Sequence, residues 1–172
     1  MSEADRSSVA DAPERLPTRW WPYDDEVSTA SPTGAQITLR LGEVDAQIAQ
    51  VGASLRSLRI GGVDLVPPYP YDLPTPACSG VVLAPWPNRV RDGEWDDEGT
   101  TRRLAITEPK LRNASHGLLR FTAYEVAHTD SEAVLRANIV PQTGYPYLIE
   151  TTVTYTLTTD GTITSDALEA LG

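Results

Sequence analysis

The residues best suited to chemistry lie in a short proline-framed segment, APWPNRVRDG, at positions 84–93. Its arginine, Arg89, carries a planar fork of N–H donors that can bind two oxygen atoms at once. Asn88 precedes it and adds an amide group beside the guanidinium. Pro85 and Pro87 fix their own φ angles, so the segment would lose little entropy on binding a ligand. The pattern predicts a ligand-binding arginine, although a surface arginine paired with a carboxylate also fits.

A second candidate is His116, which lies in the segment NASHG at positions 113–117. Histidine titrates closest to neutral pH, so its ring can exchange a proton with a reacting hydroxyl group. Gly117 would allow unusual backbone angles or a close approach of the ligand beside the ring. A structural or merely exposed histidine fits the same residues. The other histidine, His128, stands at the end of a predicted strand and is assigned to the surface.

Motifs for other chemistries are missing from the sequence, which has no G-x-G-x-x-G, G-x-x-x-x-G-K-[ST], G-x-S-x-G or H-E-x-x-H. Two histidines and a single cysteine, Cys78, favour neither a metal site nor an internal disulfide. We therefore expect no metal site. Five carboxylates follow the arginine: Asp92, Glu94, Asp96, Asp97 and Glu98. Their dense, turn-like setting predicts a solvated hairpin tip and not an acid-base pair.

The composition restricts the partners that the protein can have. Over 172 residues the formal net charge is -10, and such a field repels nucleic-acid backbones. The first thirty-odd residues contain no apolar secretory signal, and no later stretch approaches the roughly 20 apolar residues of a membrane span. These patterns predict a cytoplasmic protein that binds neither nucleic acid nor membrane. The sequence indicates no oligomeric state.

The elements that must position these residues are almost all strands. Residues 1–33, rich in Ser, Ala, Asp, Glu and Pro, are predicted to form a mobile arm in which Trp20-Trp21-Pro22-Tyr23 can dock, and residues 34–172 the body. Strands are predicted at 36–41, 44–48, 55–60, 63–66, 80–84, 94–96, 103–107, 121–128, 132–140 and 149–157. The proline-rich residues 67–76 must form a loop. Many short strands separated by turns, with no helix before residue 165, predict an all-β, antiparallel sandwich or barrel.

The end of the chain departs from this pattern. Asp160-Gly161 is a strong hairpin signal, and residues 162–164 begin a partner strand. Residues 165–172 are then poor in strand-forming residues. The strand over 149–157 is therefore expected to leave an exposed edge, and the chain looks cut short.

The ordered set of motifs resembles the aldose 1-epimerase (galactose mutarotase-like) family. The N-terminal half of that family carries an Asn-Arg pair followed by a glycine and then a His-Gly pair, which correspond here to Asn88-Arg89, Gly93 and His116-Gly117. The segments VDAQIAQVGASLRSLRIGGVDLV and GYPYLIETTVTYTL resemble its opening strands and the entry into its long strands. The resemblance covers residues 36 to 161. It implies a galactose mutarotase-like supersandwich that binds an aldohexose in a cleft without a cofactor.

The resemblance also implies a mechanism. In this family a glutamate deprotonates the anomeric hydroxyl, a histidine protonates the ring oxygen, and the sugar ring opens and recloses as the other anomer. Arg89 and Asn88 correspond to substrate-binding residues. His116 corresponds to the first active-site histidine, which binds the substrate and orients the ring, and is the catalytic candidate here.

The family's general acid and general base lie in its C-terminal half, and this chain has no matching residues. No histidine follows His128, and neither Glu150 nor Glu169 stands in the matching context. Two alternatives to an active isomerase follow. The chain can be a non-catalytic carbohydrate-binding module, or an inactive structural fragment.

Overall fold

The computed structural model describes residues 31–159, 163–164 and 168–170. Most of the predicted arm, including Trp20-Trp21-Pro22-Tyr23, lies outside these residues. The strands are β1 (Gln36–Leu41), β2 (Val44–Ala49), β3 (Ser54–Ile60), β4 (Val63–Val66), β5 (Arg89–Arg91), β6 (Glu94–Asp97), β7 (Thr100–Arg103), β8 (Asn113–Ser115), β9 (Glu125–His128), β10 (Glu132–Ile139), β11 (Ile149–Leu157), β12 (Ile163–Thr164) and β13 (Leu168–Ala170). Short 3-10 turns occupy Pro76–Cys78 and Pro109–Leu111.

The first sheet is an antiparallel meander in the order β1-β2-β3-β4. Its alternation follows the period of a pleated strand, in which successive side chains point to opposite faces. In β1, Ile37 and Leu39 are buried while Thr38 and Arg40 are exposed. The predicted Gly61-Gly62 hairpin joins β3 to β4. The four strands predicted in this region are confirmed.

The second sheet has the order β12-β11-β10-β9, and β13 also pairs with β11. β12 pairs with the Leu157 end of β11, and β13 pairs with its Ile149 end. The expected exposed edge of β11 is therefore wrong at both ends of the strand, where Ile149–Thr151 and Thr156–Leu157 have partners. The sequence pattern missed β13, whose backbone pairs with β11 despite its weak strand propensity. The predicted turn at Asp160-Gly161 lies outside the described residues.

The two sheets pack face to face around one apolar core. The core includes Ile37, Leu39, Val44, Ala46, Ile48 and Leu58 from the first sheet and Ala133, Leu135, Ile139, Val153, Tyr155 and Leu157 from the second. The Tyr155 hydroxyl donates a hydrogen bond across the core to the Ala53 carbonyl oxygen at 2.8 Å. This arrangement confirms the predicted antiparallel β-sandwich. Within the described ranges no helix is long and apolar enough to cross a membrane.

Three predicted strands have different bounds. Residues 80–84 form no strand, and their backbone bonds run to separate segments, such as that from the Val82 N–H to the Gly52 carbonyl oxygen at 2.9 Å. β7 covers Thr100–Arg103, so it shares only Arg103 with the predicted strand at 103–107. β9 begins at Glu125 because a turn, closed by the Thr122 N–H bonding to Leu119 at 3.0 Å, occupies the preceding residues.

Candidate functional site

A small two-stranded ribbon of β5 and β8 brings the predicted site residues together. Arg89 pairs with Ser115, and Arg91 pairs with Asn113. Just beyond this ribbon, the His116 N–H donates to the Asn88 carbonyl oxygen at 2.7 Å. Asn88 and His116 both have a left-handed backbone, with φ of 59° and 62°, which few residues other than glycine adopt. The motifs around Arg89 and His116, 27 positions apart in the sequence, thus meet at one junction.

The Arg89 guanidinium is held by a carboxylate that the motif analysis did not single out. Its Nε donates to Glu108 Oε2 at 2.7 Å and its Nη2 donates to Glu108 Oε1 at 2.9 Å. Its Nη1 donates to Asn88 Oδ1 at 3.2 Å. Three of the five N–H donors of the arginine are thereby used, so two remain. The half-exposed Arg89 side chain is therefore both paired and able to bind a further acceptor.

Glu108 is itself fixed by Asn113. The Asn113 Nδ2 donates to Glu108 Oε2 at 3.3 Å, and the Glu108 N–H donates to the Asn113 carbonyl oxygen at 2.9 Å. The hydrogen bonds from Arg89 are the largest cause that lowers the pKa of the Glu108 carboxyl, and the hydrogen bond from Asn113 lowers it further. The same pair raises the pKa of Arg89. Glu108 lies 19 residues from Arg89, and no local pattern links the two, so only the fold reveals the pair.

Two buried polar atoms near the junction have no hydrogen-bond partner among the described residues. They are His116 Nδ1 and Trp86 Nε1. A buried polar atom without a partner costs about 1–3 kcal/mol. An ordered water molecule or a bound polar ligand would each relieve this cost. His128, in contrast, lies exposed at the end of β9, as predicted.

An aromatic cluster lies beside the site segment. Trp86 contacts Tyr145, with ring centroids 6.1 Å apart, and Trp95 contacts both Tyr145 and Tyr147 at 6.0 and 6.3 Å. The Trp95 indole N–H donates to the Gly144 carbonyl oxygen at 3.0 Å. The Gly-Tyr-Pro-Tyr segment is thus packed against the β6–β7 hairpin. These contacts hold Trp86 in place directly before Asn88 and Arg89.

The carboxylates after Arg89 differ from the predicted solvated hairpin tip. Asp96 and Glu98 are exposed, as expected, but Asp97 is only 9% exposed. Its carboxylate accepts hydrogen bonds from the Tyr147 hydroxyl and the Arg102 Nε–H. These two bonds, that from Tyr147 first, lower the pKa of Asp97. The prediction was wrong for Asp97 because its partner Tyr147 lies 50 residues away in the sequence.

Replacing Asp97 by asparagine is expected to make stability less dependent on pH. A carboxyl whose folded-state pKa is lowered stabilises the fold above its unfolded pKa of about 3.9, and this stabilisation is lost as the pH falls through the folded-state pKa. The melting temperature of Asp97→Asn should therefore fall below that of the wild type at neutral pH, and the gap should narrow below about pH 4.

Thermal unfolding across this pH range measures the effect. Asp72→Asn is the matched control, because Asp72 is exposed and no contact is found for it among the described residues. Parallel pH curves for the wild type and both variants would contradict the assignment.

Among the described residues, no three His, Cys, Asp or Glu side chains converge as metal ligands would. Cys78 is a free, half-buried thiol.

Comparisons with known proteins identify relatives of this chain. The model of the aldose 1-epimerase family matches residues 35–170. The uncharacterized protein YihR of Escherichia coli is 35% identical over 127 residues, which cover 73% of this chain and 41% of that protein.

Solved structures share the fold at lower identity. The GalM/aldose epimerase homologue from C. elegans aligns with a TM-score of 0.59 and 20% identity, covering 72% of this chain and 42% of the other. The galactose 1-epimerase from Lactobacillus acidophilus aligns with a TM-score of 0.59 and 19% identity, covering 71% and 40%. A galactose mutarotase-like protein from Clostridium acetobutylicum aligns with a TM-score of 0.58 and 23% identity, covering 71% and 41%. The chain thus spans about two fifths of the length of these relatives.

Proposed function

Because the chain belongs to the aldose 1-epimerase family, we propose that it binds an aldohexose for the interconversion of the α and β anomers. In this proposal Arg89, Asn88 and His116 form the sugar-binding part of the active site. The observation that supports it best is the junction of these three residues through the bond from the His116 N–H to the Asn88 carbonyl oxygen. The unpartnered His116 Nδ1 adjoins this junction.

The residues of this chain suit the binding of sugar hydroxyls. The two unused N–H groups of Arg89 donate to neighbouring sugar oxygens, and the rigid guanidinium fixes their spacing. The partly exposed His116 ring accepts from a hydroxyl or donates to an oxygen, according to its protonation state. Anomer exchange additionally needs a base at the anomeric hydroxyl and an acid at the ring oxygen. In this proposal the acid and base steps belong to the complete site of the family. This chain binds and orients the sugar.

A non-catalytic carbohydrate-binding module is the second candidate. It is favoured because the site contains a single histidine, His116. The other histidine of the sequence, His128, is exposed at the end of β9. Anomer exchange with one histidine at the site would need a different acid. Both candidates therefore predict sugar binding at Arg89, but only the isomerase predicts faster exchange between the two anomers.

Nuclear magnetic resonance can test binding and exchange on one sample. We expect titration of the ¹⁵N-labelled chain with galactose or glucose to shift the amide signals of Asn88 and His116. Arg89→Ala should weaken the affinity about 10-fold or more, since a hydrogen bond to a charged group contributes about 1.5–3 kcal/mol. Arg59→Ala is the matched control, because Arg59 is a similarly exposed arginine paired with Asp64 at 3.0 Å in the first sheet.

Each outcome has a defined meaning. If the chain accelerates exchange between the α and β signals, and Arg89→Ala abolishes this acceleration, the 172-residue chain has mutarotase activity by itself. Binding without accelerated exchange would support a binding role for this chain. A folded chain that binds neither sugar, or one that binds equally well after Arg89→Ala, would contradict the proposal.

A further inference from the structure

The two hydrogen bonds between Glu108 and Arg89 form a closed, side-on pair. Both carboxylate oxygens are used, one by Nε at 2.7 Å and the other by Nη2 at 2.9 Å. Such a bidentate pair restricts the rotation of the guanidinium plane, which a single contact would leave free. A free arginine side chain has several rotatable bonds and loses about 0.5–1.5 kcal/mol of entropy when a ligand immobilises it.

The carboxylate that holds Arg89 is anchored at a second point. Asn113, in β8, donates from its side chain to Glu108 Oε2 and accepts at its carbonyl oxygen from the Glu108 N–H. The same ribbon carries Arg89 in β5 and leads directly into His116. Because Asn113 holds Glu108, the orientation of the Arg89 guanidinium depends on β8, the strand that leads into His116.

We propose that Glu108 is a positioning residue of the sugar site, which acts by holding the two unused N–H donors of Arg89 in a fixed orientation toward the sugar. This inference rests on the proposed function. The proposal gives Glu108 no sugar contact of its own, since three of the roughly four acceptor positions of its carboxylate are used by Arg89 and Asn113. Its removal should therefore weaken sugar binding only while Arg89 is present.

A double-mutant cycle separates this role from a structural one. Glu108→Gln keeps the length of the side chain but loses the charge and one acceptor, and should weaken sugar affinity about 3- to 10-fold. The double variant Arg89→Ala with Glu108→Gln should bind no more weakly than Arg89→Ala alone. The matched control is Glu94→Gln, which removes a similar exposed partner of Arg103, 2.8 Å away, on the neighbouring hairpin. We expect its affinity to equal that of the wild type.

A second readout needs no sugar. The Nε–H signal of Arg89 in a ¹⁵N spectrum should be protected from exchange with water in the wild-type chain and lose that protection in Glu108→Gln. Unchanged or increased sugar affinity in Glu108→Gln, or an additive loss in the double variant, would overturn the positioning role while leaving sugar binding at Arg89 intact. If the wild type binds no sugar, or Arg89→Ala has no effect, the proposed function fails and the positioning role fails with it.

Discussion

Replacing Gly117 by alanine is expected to cost about 2–6 kcal/mol of unfolding free energy, as left-handed backbone strain and steric overlap each contribute about 1–3 kcal/mol. Gly117 has a φ of +68°, and an added Cβ would lie 2.0 Å from the Ala84 carbonyl oxygen. That oxygen cannot easily move away, because it accepts the Leu118 N–H at 2.7 Å. A loss of this size is a large part of the 5–15 kcal/mol that stabilises a typical domain.

The substitution should also disturb the candidate site. Ala84 precedes the proline frame of Arg89, and Gly117 directly follows His116. The close backbone contact between Ala84 and Gly117 therefore sets the separation of the two motifs. A longer separation would break the bond from the His116 N–H to Asn88, so sugar binding should weaken even in conditions where the variant stays folded.

Urea unfolding followed by tryptophan fluorescence measures the loss. Gly42→Ala is the matched control, because Gly42 has a φ of +61° but its added Cβ would meet no atom within 4 Å. We expect the control to lose only about 1 kcal/mol, from backbone strain alone. Equal losses in the two variants would refute the steric contact with Ala84, whereas a Gly117→Ala chain that fails to fold would support it.

Leu135→Ala is expected to destabilise the sandwich by about 2–5 kcal/mol, the usual range for a leucine removed from a closed core. Leu135 has no exposed surface and lies in β10, with Val126 opposite it in β9 and Val153 opposite it in β11. Because it has a strand on each side and the first sheet above it, the surrounding side chains can fill only part of the cavity.

The same unfolding measurement tests this prediction. Leu65→Ala removes the same atoms from the edge strand β4, where the side chain is 57% exposed. Its loss should stay within about 0.5 kcal/mol, as is usual for surface positions. If Leu135→Ala and Leu65→Ala lost similar stability, Leu135 would not lie in the shared core of the two sheets.

Local patterns were sufficient for most of the strands and for the nature of the fold. The alternation in β1, β2, β10 and β11 predicts which side chains are buried, because a pleated strand repeats every two residues and needs no information from other elements. The resemblance of the motifs around Asn88-Arg89 and His116-Gly117 was sufficient to identify the family. Predictions that depended on pairing over long distances were weaker, as the missed strand β13 shows.

The candidate site shows the same division. Arg89 and His116 stand out in the sequence because their residue types and neighbours are unusual. Glu108 and the buried state of Asp97 do not, since each depends on a partner 19 or 50 residues away. One of many acidic residues cannot be chosen as a partner until the fold brings one of them within hydrogen-bonding distance.

By itself, the sequence determined the strand pattern, the family and the two motifs that carry the candidate chemistry, because these depend on residue type and short-range spacing. The tertiary structure decided that β5 and β8 pair, that His116 bonds to Asn88, and that Arg89 is held by Glu108. These features are contacts between distant segments. Their energies depend on distance and orientation in space, and both arise only when the two sheets and the ribbon have folded together.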